Sequence, residues 1–323
     1  MMAWLPDREV HGPERPTVRD IEPLNRIFSE AFTDRYRRDG MSGVRVPHLN
    51  PAIWRYALED AGEGAMVWRD TDGELCGFNI VHLSGREGWM GPLAVRPDRQ
   101  GAGLGKTMLH AGIDWLKERG ARTVGLETMP RTIENIGFYS RLGFVPGHLT
   151  ITLVRDLMRR PVLHPEVLST SGPARAERLK ACRDLTQRLV PGTDFSRELA
   201  TTSDLRIGDT LLLRNEGSEL LGFALYHTAA LAAGRPQDEL RILKLAALDG
   251  EAFERLIAAA EAAALAADIR RVSLRCQTAF GDAYLRLIHL GYRAHWTDLR
   301  MTLAGRGESA VAEGAVVWSN WEI

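Results

Sequence analysis

The hydrophobic pattern along the chain changes period several times, and it does so twice in the same order. Apolar positions at helical spacing predict a helix over 21–38 and another over 174–189. Each is followed by two strand-like runs joined by a polar turn. These are 65–69 and 76–83 around Asp72-Gly73, and 210–214 and 221–228 around Glu216-Gly217. A third strand comes next (89–95 or 240–246), then a long helix (103–119 or 251–267). A short β run, a helix and a final alternating strand (149–154 or 298–303) complete each half.

Short segments repeat in register with these elements. ELCGF at 74–78 recurs as ELLGF at 219–223, RTVGLE at 122–127 as RRVSLR at 270–275, and RLGF at 141–144 as HLGY at 289–292. A fixed order with a small drift in spacing predicts one domain written twice. Pro161, Pro165 and Pro173 break any regular element and place the boundary within 158–173. The expected units are 15–157, 174–304 and a tail, 305–323. Trp318 and Trp321 in that tail are expected to dock on the body of the protein, with lining of a substrate pocket as the alternative.

The length of 323 residues is what two domains of about 150 residues require. With 41 basic against 42 acidic side chains, the chain has no global attraction for nucleic acid or an anionic membrane. Three widely spaced cysteines, Cys76, Cys182 and Cys276, exclude a disulfide framework and a CxxC-type metal site and suit a reducing cytoplasm. The longest apolar run, 258–267, is too short to span a bilayer and is interrupted by Glu261. The first residues, MMAWLPDREVHG, lack the apolar core of a signal peptide.

The chemistry concentrates in LAVRPDRQGAGLGKTML, 93–109. A strand ends at Val95, Pro97 stops it, and Gly101, Gly103 and Gly105 precede a helix. First-turn amides of a helix have no internal partner and carry partial positive charge, so this turn suits a pyrophosphate. Lys106 adds a point charge. The alternative is a loop that merely connects strand to helix. The mid-domain position argues against a dinucleotide-binding Rossmann turn, and Walker A spacing is absent. A second segment, ETMPRTIENIGFYSRLGF at 127–144, reads as strand end, break, helix, glycine stop and strand entry.

Together the two segments resemble the acetyl-CoA-binding core of the GNAT superfamily of N-acetyltransferases. Gln100, Gly103 and Gly105 match its Q/R-x-x-G-x-G/A motif. Phe138, Tyr139, Gly143 and Phe144 match the FY-x-x-x-GF helix end. The resemblance covers roughly 15–157, while the second half shares the element order without the motifs. It implies an α+β fold of two tandem GNAT-like domains, each a mixed, mostly antiparallel sheet flanked by helices. It implies acetyl-CoA as cosubstrate, no metal, and a small-molecule or peptide amine as acceptor. No nucleic acid or membrane partner is expected, and the oligomeric state is left open.

The resemblance also assigns roles. Leu93, Ala94 and Val95 would lie on a splayed strand that pairs with the pantetheine arm, and an amide near Ala94 or Val95 would polarise the thioester. The backbone of Gln100, Gly101, Ala102, Gly103, Leu104, Gly105 and Lys106 would hold the pyrophosphate, with Phe138 nearby. Either Thr132 or Asn135 would contact the pantetheine. Tyr139 would donate a proton to the departing thiolate. For the general base the first candidate is Glu127, with a pKa expected to rise on burial and pairing with Arg131 or binding of the substrate's cationic group as alternatives. His82 is the second candidate, with a solvent-exposed strand end as its alternative. Arg35, Arg37, Arg38 and Arg45 form a basic cluster that would draw an anionic acceptor, unless it is a solvated face. The tandem architecture also resembles mycothiol synthases, in which the second half carries the chemistry. Here the motifs lie in the first, so that substrate is not carried over. At the repeat offset Gly103 aligns with Glu251, Gly105 with Phe253, Glu127 with Arg275 and Tyr139 with Leu287. Only the first half is therefore expected to bind acetyl-CoA. A non-catalytic acetyl-CoA sensor or interaction module is the competing reading.

Overall fold

The computed structural model describes residues 9–158, 165–169 and 173–321. Most of MMAWLPDREVHG, much of the proline-rich boundary and the end of WSNWEI lie outside the described residues. The first half runs β1 (Val10–Glu14), α1 (Ile21–Arg38), α2 (Pro51–Ala61), β2 (Ala65–Asp70), β3 (Leu75–Ser84), β4 (Glu87–Val95), α3 (Leu104–Glu118), β5 (Thr123–Thr128), α4 (Ile133–Arg141) and β6 (Phe144–Asp156). The second runs β7 (Glu166–Val167), α5 (Pro173–Leu189), α6 (Ser196–Leu205), β8 (Gly208–Arg214), β9 (Leu220–His227), β10 (Glu239–Ala247), α7 (Gly250–Ala266), β11 (Arg271–Gln277), α8 (Gly281–His289), β12 (Arg293–Leu303) and β13 (Val316–Ser319). Helix α2 starts at a signal legible in the sequence. Asn50 accepts the Ala52 amide at 3.0 Å and Pro51 opens the first turn, where a missing N–H costs nothing.

All of these strands join one sheet in the order β1-β2-β3-β4-β5-β12-β6-β11-β10-β9-β8-β7, with β13 beside β10. The order shows an exchange. β12, from the second half, pairs with β5 of the first (Arg300 opposite Glu127, Met301 opposite Leu126), and β6, from the first half, pairs with β11 of the second (Leu153 opposite Leu274). The exchanged strands also pair with each other, antiparallel, along most of their length. Each therefore carries core residues into the opposite half. Met301 packs fully buried with Met108, Leu116 and Phe144 of the first half, and Leu153 packs with Phe253, Leu256 and Leu274 of the second. Neither half completes its sheet or core with its own chain.

Helices cover both faces. In the first half α1 and α2 seal one face through Leu24, Trp54 and Phe78, and α3 and α4 pack on the other. In the second half α7 and α8 cover one face and α5 and α6 the other. Each half contains a parallel strand pair that opens into a V. β4 and β5 stay paired from Glu87↔Thr123 to Met90↔Leu126, and β10 and β11 from Glu239↔Arg271 to Ile242↔Leu274. Past those points the strands diverge, and the two halves treat the opening differently. In the first, the free edge of β4 beyond Met90 faces a groove. In the second, β13 lies in the opening, antiparallel to β10 from Lys244↔Ser319 to Ala247↔Val316. Asn320 then bridges both arms, donating its amide to Leu243 O at 3.1 Å and its side chain to Arg275 O at 2.9 Å.

Candidate active site

The groove beside the opened edge of β4 has a volume of about 590 Å³. Its walls include Leu93, Ala94, Val95, Gln100, Gly101, Gly103, Gly105, Lys106, Asn135, Phe138 and Tyr139. Its floor is set by local sequence. β4 pairs with β3 up to Val95↔Gly77, and the register slips between Asn79 and Val81, which turns the strand at Gly91–Pro92. The Gln100 side chain donates to Val95 O at 3.0 Å and ties the glycine turn to the strand end. Gly103 caps α3 with φ +88° and ψ −7°, a left-handed conformation that costs an L-residue about 1–2 kcal/mol. The amides of Lys106 and Thr107 return to Gly103 O, at 3.0 and 3.2 Å. Among the described residues, the amides from Gly101 to Gly105 have no backbone acceptor, so they are free for a ligand. A Cβ built at Gly101 or Gly103 meets nothing within 4 Å, and one at Gly105 meets only Val95 Cγ2 at 3.7 Å. The turn is an open anion cradle at a helix start, which fits the pyrophosphate of acetyl-CoA.

Other expected residues of this turn and helix are arranged unevenly. Ala102 is exposed on the outer side of the turn, and Leu104 packs toward the core. Asn135 lies in the groove wall. Thr132 is fully buried and turned away, its hydroxyl donating to Asp39 Oδ2 at 2.6 Å. Tyr139 packs against Phe138 and Phe144 at 5.3 and 6.2 Å between ring centroids. Burial pushes its phenol up to about 12, so it keeps its proton at neutral pH.

Two further cavities continue from the groove. A throat of about 160 Å³ shares Phe32, Leu93, Asn135 and Tyr139 with it and adds Glu127 and Asp298. The throat shares Tyr36, Met90, Glu127 and Asp298 with a cavity of about 530 Å³ between the halves. That cavity is walled by aromatic side chains of both halves, including Phe28, Trp89, Trp296 and Trp321.

Glu127 sits at the junction, but with partners the sequence did not suggest. Arg275 Nη2 lies 2.5 Å from it, Arg300 Nη1 2.9 Å, and the Thr150 hydroxyl 2.6 Å. Among the described residues, its ion-pair partners are Arg275 and Arg300, not the expected Arg131. Burial alone would raise its pKa. Arg275 and Arg300 outweigh burial and hold the carboxyl below its ordinary range, opposite to the expected rise. His82 is not at an exposed strand end. It is 2% exposed, its Nδ1 is 2.6 Å from Asp60 Oδ2, and its ring faces Trp321 with centroids 5.5 Å apart. Burial lowers its pKa more than Asp60 raises it, so the ring is held neutral.

The basic cluster divides: two of its arginines are taken up in ion pairs, and Arg37 and Arg45 are exposed. Arg35 is held by Asp39 at 2.6 Å and Glu134 at 2.7 Å, and Arg38 by Asp34 at 2.6 Å. Trp318 and Trp321 divide between the two expectations. Trp318 is fully buried against Phe253, while Trp321 lines the cavity with the Lys244 ammonium 3.7 Å from its ring centroid. Sequence reasoning passed over Asp298, Arg300 and Asp249. The first two reach the site only through strand exchange, which no local pattern announces. Asp249 caps α7, accepting the Ala252 amide at 2.8 Å, and was legible as an Asp before a helical run. The structural match therefore sets Asp249, not Glu251, opposite Gly103. Among the described residues, no cluster of His, Cys, Asp and Glu is placed to hold a metal ion, and no helix is long and apolar enough to cross a membrane.

An opened β4, a free glycine turn and a helix carrying FY-x-x-x-GF coincide with a family model. Residues 22–144 match the acetyltransferase (GNAT) family. This part of the chain is a GNAT acetyltransferase domain. The chain is 40% identical over 93 residues to the mycothiol acetyltransferase of Streptomyces coelicolor, a match spanning 28% of each protein. It spans between about a quarter and a half of the length of the mycothiol acetyltransferases it matches. Among solved structures it resembles a putative acetyltransferase from Pyrococcus horikoshii, with a TM-score of 0.62 at 18% identity over 93% of this chain and 90% of that one. It also resembles a tandem GNAT protein from the clavulanic acid biosynthesis pathway, with a TM-score of 0.54 at 13% identity over 91% of this chain and 98% of that one. At those identities the likeness is one of fold. It extends across both halves of the chain, an α+β architecture of tandem domains.

Proposed function

We propose that the protein transfers acetyl from acetyl-CoA, bound along 93–106 of the first half, to an amine held in the cavity between the halves. The observation that carries this reading is that groove, throat and cavity adjoin, each sharing wall residues with the next, with Tyr139 on the wall shared by the first two. Free amides of the glycine turn would take the pyrophosphate, the unpaired edge of β4 would take the pantetheine amides, and Asn135 is better placed than Thr132 to contact that arm. The thioester would then reach the throat. There an amide of β4 near Ala94 polarises its carbonyl, and the amine attacks directly from the cavity side.

Tyr139 would hydrogen-bond the leaving sulfur. Its high pKa keeps it protonated but makes it a weak acid, so it yields its proton only as it regains one from the new amide nitrogen. Glu127, fixed by two arginines, is better suited to hold the acceptor's positive charge than to cycle a proton. The acetyl-CoA unit would comprise 15–157, with 174–304 completing the acceptor side. The second half would bind no acetyl-CoA, because Asp249 already caps α7 and β13 already fills its V. A part-buried, protonated Tyr139 in the walls of both groove and throat favours catalysis over a purely sensory role. Isothermal titration should show one acetyl-CoA site per chain, abolished by Gly103→Glu. Two sites, or binding that survives this substitution, overturns the reading.

A further inference from the structure

The carboxylates at the throat form an unequal pair, and the inequality has a chemical use. Arg275 Nη2 bridges them, at 2.5 Å from Glu127 Oε2 and 2.7 Å from Asp298 Oδ2. Glu127 also holds Arg300 and the Thr150 hydroxyl, so its oxygens are committed. Among the described residues, Asp298 receives beyond Arg275 only a long hydrogen bond from Trp296 Nε1, at 3.3 Å. It lies on β12, opposite Thr150 of β6 and one residue from the pairing of Leu299 with Thr128. That register puts it in the walls of both the throat that contains Tyr139 and the cavity between the halves.

We propose that Asp298, carried into the first half's site by the exchanged strand, is the general base that takes the proton from the acceptor amine. This rests on the acetyl-transfer reading above. The acceptor ammonium, arriving from the cavity, gives one proton to an Asp298 carboxylate oxygen. The neutral nitrogen forms a bond to the thioester carbon, whose oxygen takes the carbonyl electron pair. The carbon–sulfur bond then breaks, and the thiolate receives the Tyr139 proton. The second nitrogen proton restores the phenol, and Asp298 releases its proton to solvent. The products are the amide, the free thiol and one proton.

The surroundings favour the transfer. The groups facing Asp298 are Arg275 from β11, Glu127 from β5, Tyr36 from α1, and Arg35, which shares the throat. Burial, with Glu127 close by, lifts Asp298 above the ordinary carboxylate range despite Arg275. The same apolar surroundings lower the pKa of an entering ammonium, so the two pKa values approach each other. Two carboxylates pushed in opposite directions are the arrangement that separates a fixed charge from a proton carrier.

The test is Asp298→Asn, which keeps the shape and removes the basicity. The probes are acetyl-CoA with 2-phenylethylamine as acceptor, and acetyl-CoA alone for slow hydrolysis, both followed as thiol release. The expected result is a fall of at least tenfold in kcat for both reactions, an unchanged KM for acetyl-CoA and loss of the acid limb of the pH–rate profile. Asp298→Glu should recover part of the rate and restore that limb. Wild-type rates in Asp298→Asn from pH 6 to 9 overturn the proposal. So does a parallel loss of acetyl-CoA binding by titration, which would mark a structural role. If the unmodified protein neither binds acetyl-CoA nor releases thiol from it, the acetyl-transfer reading fails first and this inference with it.

Discussion

The glycine turn supports a prediction in which neighbouring glycines behave oppositely. Gly103 adopts φ +88° at the cap of α3, whereas Gly105 has an ordinary helical φ and lies inside the first turn. Alanine at 103 must either hold a left-handed conformation, at about 1–2 kcal/mol, or rebuild the turn. Alanine at 105 costs no strain and removes backbone freedom from the unfolded chain, a gain of about 0.5 kcal/mol so near a helix end. Unfolding entropy of about 2.1 cal/mol/K per residue over 323 residues gives about 0.7 kcal/mol/K. Gly103→Ala should therefore lower Tm by about 1.5–3 °C, and Gly105→Ala should raise it by about 0.7 °C.

The ligand response separates them further. At an acetyl-CoA concentration of about 100 times Kd, binding adds about 2.7 kcal/mol, or about 4 °C. Rebuilding the turn at 103 redirects the free amides. A tenfold loss of affinity would cut that shift to about 2 °C, while Gly105→Ala should keep it whole, its Cβ resting on Val95. Thermal unfolding with and without acetyl-CoA measures all four quantities. An unchanged Tm and an unchanged ligand shift in Gly103→Ala would refute the cradle argument. A destabilised Gly105→Ala would refute the conformational one.

Other consequences follow from single groups. Tyr139→Phe should retain acetyl-CoA binding by titration and lose thiol release by about 100-fold, the lower range for a positioned proton donor; full turnover would remove its role. Glu198, fully buried with the Ser84 hydroxyl as its partner, has a carboxyl pushed by burial, and then by Asp60, up to about 7. Because the folded value lies above the unfolded one, its contribution is full below about pH 4.5 and is lost as pH rises through 7, for a total of about 3 kcal/mol. Chemical denaturation from pH 5 to 8 should show this slope in the parent and a flatter one in Glu198→Gln; equal slopes would contradict it. Trp321→Ala opens the cavity wall and should cost about 3 kcal/mol of stability while leaving the acetyl-CoA thermal shift intact; a diminished shift would mean the cavity and groove are not separate subsites.

What could be read from the sequence was whatever is encoded locally. Helix α1 spans the residues its apolar spacing marks, and β3, β4, β9 and β10 fall within one or two residues of their strand-like runs. The glycine turn and the Phe138–Tyr139 helix were found because each motif is a short-range geometric requirement. Pairing across the halves was not legible. A final strand with alternating polarity reads the same whether it returns to its own sheet or crosses to another, since only the partner's identity differs. For that reason Glu127 looked free to act as a base, although Arg300 stands directly opposite it on β12. His82 looked like a strand end for the same reason, because α2, which carries Asp60, and the tail, which carries Trp321, cover it from distant parts of the chain.

The two V-shaped openings account for why one fold serves two ends here. A strand pair that splays leaves backbone N–H and C=O groups without partners, and leaving them buried and unpaired is costly. Something must pair with each edge. In the first half the edge borders an open groove, and the helix opposite begins with free amides and a left-handed glycine, so the edge stays open to solvent or to a ligand. In the second half the chain supplies the partner itself: β13 pairs with β10 from Lys244 to Ala247, Trp318 packs on Phe253, and Asp249 satisfies the helix start. The filling strand ends at Ser319, and the chain continues to Trp321 in the wall of the shared cavity. Cutting the chain after Gly314 tests this directly. It should lower stability by exposing the β10 edge, yet leave a single acetyl-CoA site by titration, because Asp249 still caps the helix start where a pyrophosphate would sit. A second site appearing on truncation would mean that the tail alone, and not the helix start, keeps acetyl-CoA out of the second half.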